Sequence, residues 1–314
     1  MRKFILKKTF LFVLSIVFTS VGFSACHGYR SSGEPSEPHT HNAPIEATAP
    51  TCTEDGENVY DCWCGYYLYK PIRAIGHKYI DGVCENCNHS MMEELTYTLS
   101  EDGSYYILSG LGDYSASTLT VPDTYKGLPI KEIGKEAFYD SPNALISVQL
   151  GDNVTTIAES AFACSRIQNI TLGNSLTSIE KHAFSSCSIT SINLPQSLMT
   201  IGIWAFSNSN LTSITIPDKV TKIENDTFAL SNSLQTVILG NGVTTIGQNA
   251  FHQCTALTNV VIGEKVTSIE AQAFYECTNL TNVYFNGTKT AWNEIIVGKL
   301  NTWLTGATVH YQAE

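Results

Sequence analysis

Leu211–Ser233 reads LTSITIPDKVTKIENDTFALSNS, and Leu234 opens the same pattern again. Leu211, Ile214 and Ile216 form a short strand pattern, and Pro217 stops it, because proline cannot donate to a sheet ladder. Val220, Ile223 and Phe228 follow as further apolar positions. A unit of this length cannot bury its apolar side by itself. It needs copies stacked against it, which makes the search for internal repeats decisive.

The copies are present. IGKEAF, IAESAF, IEKHAF, IGIWAF, IENDTF, IGQNAF and IEAQAF end at Phe138, Phe162, Phe184, Phe206, Phe228, Phe251 and Phe274, with spacings of 24, 22, 22, 22, 23 and 23 residues. Strand patterns run in the same register: LISVQL from Leu145, IQNITL from Ile167, ITSINL from Ile189, LQTVIL from Leu234 and LTNVVI from Leu257. Gly151, Gly173, Pro195, Gly240 and Gly263 stop them. Stacking joins the Leu/Ile/Val positions and the phenylalanines into one continuous core. With strands ~4.8 Å apart, seven units make a body roughly 35 Å long. The expected fold is a mostly β repeat solenoid of leucine-rich repeats of 22–24 residues, each a short parallel strand plus turns.

The consensus LTSITIPxxVTxIGxxAFxxC resembles the BspA-type leucine-rich repeats of bacterial surface proteins, over about residues 95–314. LTYTLSEDGSYYILSGLG is similar to that family's amino-terminal cap, a β-hairpin turning at Glu101–Gly103. VYFNGTKTAWNEIIVGKLNTWLTGATVHY resembles its carboxy-terminal cap. Caps cover the apolar layer and the strand edge that end repeats would leave open. The resemblance implies adhesion to host or matrix proteins, or to other bacteria.

The first residues speak to compartment. Arg2, Lys3, Lys7 and Lys8 precede an apolar run from Phe10 to Phe23 that is too short to span a membrane. FSAC, ending at Cys26, resembles a bacterial lipobox, which implies a lipid on Cys26 and a tether to the membrane by that anchor alone. The rival reading is ordinary cleavage and secretion. Losing four basic residues and no acid would take the net charge from −11 to −15, which argues against a nucleic-acid partner and against electrostatic docking to anionic lipid. The expected location is the cell surface. The organisation expected is a signal segment (1–25), Cys26 with a Pro-, Ser- and Glu-rich flexible linker (26–50), a small Cys-rich module (51–89), a cap hairpin (90–117), seven repeats (118–279) and a final cap (280–314).

The module is too small to fold on an apolar core alone. Cys62, Cys64, Cys84 and Cys87 form two close pairs, as a structural zinc site needs. Disulfides are the rival in an exported chain, and one obvious pairing scheme leaves Cys52 over. His77 and His89 are substitute ligands or surface residues. Cys164, Cys187, Cys254 and Cys277 lie just past their phenylalanines and read as buried thiols behaving as small apolar groups. No cofactor is otherwise required.

Catalytic signatures are missing: there is no G-x-S-x-G, H-E-x-x-H, P-loop or dinucleotide fingerprint. SIEK (Ser178–Lys181) matches S-x-x-K, but the parallel repeats read TIAE, TIGI and SIEA, so its serine belongs to the repeat. His182 and His252 have no carboxylate that the register is expected to bring close. The expectation is a binding protein and not an enzyme.

Two places suit a ligand. The outward positions of the strands are uncharged and polar in the first four rows, then add Ile238, Val261 and Tyr284 beside Asn282. Such an apolar stripe marks an interaction site or reflects β-propensity on an exposed strand. Ile203 and Trp204 fall in a turn column that holds small, polar or charged residues elsewhere. The pair meets a partner, is covered by the Cys-rich module, or packs within its own repeat. The functions in play are protein adhesion, glycan capture through Asn, Gln and the aromatics Tyr284 and Trp204, and a structural spacer.

Overall fold

The structure, a computed structural model, describes residues 44–312 except 53, 62–66, 75–78, 81–82, 88–89 and 142–144. The chain divides into two compact units, one ending at His89 and one beginning at Ser90.

The second unit is the solenoid. Its outer strands, Thr118–Thr120, Ser147–Gln149 and Asn169–Thr171, pair in parallel, as do Ser213–Thr215, Thr236–Ile238, Asn259–Ile262, Asn282–Phe285 and Thr308–Tyr311 further on. A second parallel ladder runs beside it through Thr156–Ile157, Ser178–Ile179 and Thr200–Ile201, and again through Lys222–Ile223, Thr245–Ile246, Ser268–Ile269 and Ile296–Val297. Residues 280–311 thus continue both ladders, with helices Lys289–Glu294 and Thr302–Gly306 between their strands.

The phenylalanine spacing becomes a column of stacked rings. From Phe138 to Phe274 neighbouring centroids lie 4.9–5.5 Å apart. All seven rings are buried. In the unit quoted above, Leu211, Ile214, Ile216, Val220, Ile223 and Phe228 are each no more than 2 % exposed, and each large side chain so buried contributes roughly 1.5–3 kcal/mol.

The turn that carries each phenylalanine needs two left-handed residues per repeat, and neither is glycine. Glu136, Ser160, His182, Trp204, Asp226, Asn249 and Gln272 have φ between 55° and 59°, and the residue four further on is also left-handed. Backbone bonds between repeats offset that strain of about 1–2 kcal/mol per residue. Phe162 N–H, for example, donates to the Ala183 carbonyl at 2.8 Å, and Cys164 N–H to Ser185 at 2.8 Å.

Both ends are closed. At the first, Thr96–Leu99 and Tyr106–Gly110 form an antiparallel hairpin, and Tyr106–Gly110 pairs in parallel with Leu128–Ile133. Tyr97 stacks on Tyr125 with centroids 3.9 Å apart. At the other, buried Asn301 stands in for the missing next repeat. Its Oδ1 accepts from Phe274 N–H at 3.0 Å, and its Nδ2 donates to the Glu270 and Gly298 carbonyls, both at 2.9 Å.

In the first unit Pro44–Thr48, Gly56–Asp61 and Tyr67–Ile72 form a three-stranded antiparallel sheet, and Tyr79–Ile80 pairs with Val83–Cys84. Gly56 is required where it stands, since a Cβ there would lie 2.2 Å from the Thr48 carbonyl oxygen.

Candidate binding surface

The outer ladder presents two outward positions per repeat, from Ser147/Gln149 to Asn282/Tyr284, and a third column runs from Ile146 through Gln168, Thr190, Thr212, Gln235 and Thr258 to Thr281. None of these positions holds Asp, Glu, Lys or Arg, although the chain has 47 charged residues, 18 basic and 29 acidic. The parallel register aligns Thr215, Ile238, Val261, Tyr284 and His310 in one row. Ile238 is 39 % and Tyr284 41 % exposed, while Val261 between them is half-buried.

The row ends in a fixed aromatic pair. Tyr284 stacks on His310 with centroids 4.7 Å apart and planes 15° apart. His310 Nε2 lies 3.0 Å from Asn282 Oδ1, and Asn282 Nδ2 donates to Asn259 Oδ1 at 3.3 Å and to Thr281 Oγ1 at 3.0 Å. Amide and imidazole therefore hold each other in place next to the exposed phenol.

Ile203 and Trp204 lie apart from this row. Ile203 is 38 % exposed. Trp204, left-handed at φ 59°, is half-buried, and its indole stacks on His182 one repeat earlier at 6.0 Å. Packing between adjacent repeats thus accounts for the indole, while the isoleucine faces solvent. His252 stacks in the same way on Tyr275 at 5.4 Å. The register does bring carboxylates near both histidines: Glu159 opposes the lowering that burial imposes on His182, and His252 opposes the raising that burial imposes on Asp226. Ser178, the serine of SIEK, accepts from Thr200 Oγ1 at 2.9 Å as part of the ladder.

The repeat bearing Ile203 and Trp204 is the irregular one. Its outer segment, 189–194, forms no strand, although Thr212 N–H still donates to the Thr190 carbonyl at 3.1 Å, and the second ladder stops at Thr200–Ile201 and restarts at Lys222–Ile223. Two of its residues leave repeated columns. Thr155, Thr177, Thr244 and Thr267 donate their hydroxyls to the carbonyl one repeat back at 3.1–3.4 Å, and Met199 occupies that column here. Asp123, Asp152 and Asp218 accept from the backbone N–H of the following repeat at 2.7–3.0 Å, and Gln196 stands in their column. An open cleft of about 410 Å³ lies beside this gap in the ladder, lined by Glu180, Lys181, Met199, Thr200, Lys222 and Glu224.

In the first unit, Cys62 and Cys64 lie outside the described residues, as do Cys26, His77 and His89. Cys84 and Cys87 come together with Cys52, the residue that spacing alone left over: the three sulfurs lie within 4.8 Å of one another. Burial and the two neighbouring thiols push the Cys52 thiol up to about 12. The odd number of cysteines in the module leaves one outside any set of pairs, and no spacing signal placed Cys52 beside Cys84 and Cys87.

Residues 113–211 and 199–297 match the BspA type leucine rich repeat region in six copies. The chain belongs to the BspA-type leucine-rich-repeat family. Among solved structures, it is similar to a leucine-rich repeat protein from Bacteroides ovatus, with 22 % identity, 70 % of each chain covered and a TM-score of 0.49. It is also similar to the T. pallidum leucine rich repeat protein, with 24 % identity, 70 % of this chain and 96 % of that one covered and a TM-score of 0.45. The pneumococcal vaccine antigen PcpA gives 14 % identity, coverage of 87 % and 89 %, and a TM-score of 0.35. No curated protein sequence matches the chain.

The BspA-type AFxxC position is a buried column of small donors. Cys254 and Cys277 lie with Sγ 3.1 and 3.0 Å from the carbonyl oxygens of Phe228 and Phe251, and Ser231 makes the equivalent bond to Phe206 at 2.9 Å. Cys187, Cys254 and Cys277 are buried free thiols, as expected. Cys164 is a correction. One residue early in the consensus, it takes the left-handed position and is exposed, while Ser165 fills the buried column beside Cys187.

Proposed function

We propose that this chain is a cell-surface binding protein, anchored through a lipid on Cys26, that holds an extracellular protein on the uncharged outer face of its solenoid. The observation that carries the reading is the exclusion of charge from three columns of an acidic protein, ending in a row where exposed Ile238 and Tyr284 flank half-buried Val261. Interface cores are depleted in charge and enriched in tyrosine and other aromatics. The pre-set contacts of Asn282 with Asn259 and His310 mean that little side-chain entropy remains to be lost on binding. Membership of the BspA-type family supports a surface role. Ile203 with Trp204 forms a smaller, separate contact point.

A second reading, glycan capture, has its own observation. Tyr284 offers a flat exposed ring bordered by Asn282 and His310, which suits a sugar's apolar face and hydroxyls. The test is a screen of the exported chain against immobilised matrix proteins and glycans, each hit repeated with Tyr284→Ala and Trp204→Ala. A protein hit weakened by Tyr284→Ala supports adhesion. Hits confined to glycans move the assignment to sugar capture, and silence across the array leaves a structural spacer.

A further inference from the structure

The first unit contains a constellation that the surface-binding role does not use. Cys52 sits in the tight turn between the first two strands, where Thr51 N–H donates to the Glu54 carbonyl and Glu54 N–H to Thr51 Oγ1, both within 2.9 Å. Cys84 ends the short Val83–Cys84 strand, and the turn over Glu85–Cys87 brings Cys87 back beside it. Two separate turns, 32 residues apart in sequence, thus deliver three thiols to one point. Cys52 Sγ and Cys84 Sγ are 3.6 Å apart. A disulfide would require about 2.05 Å. Thiolates around tetrahedral zinc, each about 2.3 Å from the ion, stand about 3.8 Å from one another.

We propose that Cys52, Cys84 and Cys87 form a structural site for a thiophilic divalent cation, zinc being the ion whose thiolate chemistry it fits. Binding replaces three S–H protons with the ion and releases them to solvent, so no oxidant or reductant is needed. The unit gains the cross-link that a body of this size requires, because so short a chain has little apolar core to fold on. Metal-held thiolates also stay out of disulfide exchange in an oxidising compartment. This inference is independent of what the solenoid binds.

The test uses the full exported chain, purified without chelators, with zinc measured by atomic emission and thiols counted before and after displacement of the metal. One zinc per chain is expected, with Cys52→Ser, Cys84→Ser and Cys87→Ser each weakening retention about tenfold or more and Cys164→Ser changing nothing. Cobalt added to the metal-stripped chain should give a thiolate charge-transfer band, which Cys52→His retains at reduced intensity. That conservative variant keeps the test meaningful if the serine variants misfold. A chain that binds neither metal, retention unaffected by Cys52→Ser, or a mass showing these cysteines paired as disulfides would overturn the assignment.

Discussion

The Phe206 ring stacks on the Phe228 ring at 5.5 Å with planes 4° apart, although the strands of the same two repeats do not pair. The turn ladder also crosses the gap, since Phe206 N–H donates to the Thr227 carbonyl at 2.9 Å. Core and turn therefore carry the solenoid past a seam where its sheet is open. The seam predicts uneven hydrogen exchange: with no strand bond across it, Thr221 and Glu224 amides should exchange faster than Thr244 and Gly247, whose N–H groups donate to Thr221 and Ile223 at 2.8 Å. Met199→Thr returns a hydroxyl donor toward the Thr177 carbonyl and Gln196→Asp an acceptor for the following repeat's N–H, and together they should add about 1 kcal/mol of stability. Uniform protection along the ladder in the native protein would contradict this.

Asn301 is the residue on which the far end of the phenylalanine column depends. Asn301→Ala leaves the buried Phe274 N–H without its partner and leaves the Glu270 carbonyl only the Ala273 N–H, and should cost about 1–3 kcal/mol in chemical denaturation. A loss below about 0.5 kcal/mol would show that water replaces the amide without penalty.

Trp204 sits where the backbone is left-handed, a conformation that asparagine tolerates better than tryptophan. Relief of strain opposes loss of the stack on His182, so Trp204→Asn should leave stability within about 1 kcal/mol of the native chain. A much larger fall in the unfolding midpoint would make the indole a structural pin and exclude it from the list of contact residues.

The cap hairpin has an acid-sensitive turn. Asp102 accepts from Ser100 Oγ at 2.8 Å and from Ser104 N–H and Oγ at 3.0 and 2.8 Å, and these bonds hold its carboxyl below the usual aspartate range. The turn's contribution is complete above that ordinary range and is lost as pH falls through the lowered folded value. The Ser104 amide shift, followed by NMR, should inflect below the ordinary aspartate value in the native chain and lose that inflection in Asp102→Asn. An inflection at the ordinary value would mean that the bonds do not hold the carboxylate.

How far the sequence could be read varied with the distance over which the deciding contacts act. The phenylalanine column and the row Ile238, Val261 and Tyr284 follow from period and register alone, because a parallel solenoid places equivalent residues one above another. The Asn301 cap is not periodic and replaces a repeat that is absent, so no pattern announces it. Gln196 and Met199 are visible as departures from their columns, but the open seam is a cooperative consequence of both ladders. Cys52 joins Cys84 across 32 residues in a unit without repeats, and spacing cannot express such a contact.

Binding through the uncharged face is decided by equilibrium binding of the exported chain to a protein ligand from the matrix screen, with Ile238→Lys/Tyr284→Ser compared against Lys265→Ser outside the outer strands. The double variant should keep its thermal unfolding midpoint and lose affinity by about 2 kcal/mol or more, roughly thirtyfold, while the control binds as the native chain does. Undiminished binding by the double variant would contradict the assignment of the uncharged face as the binding surface.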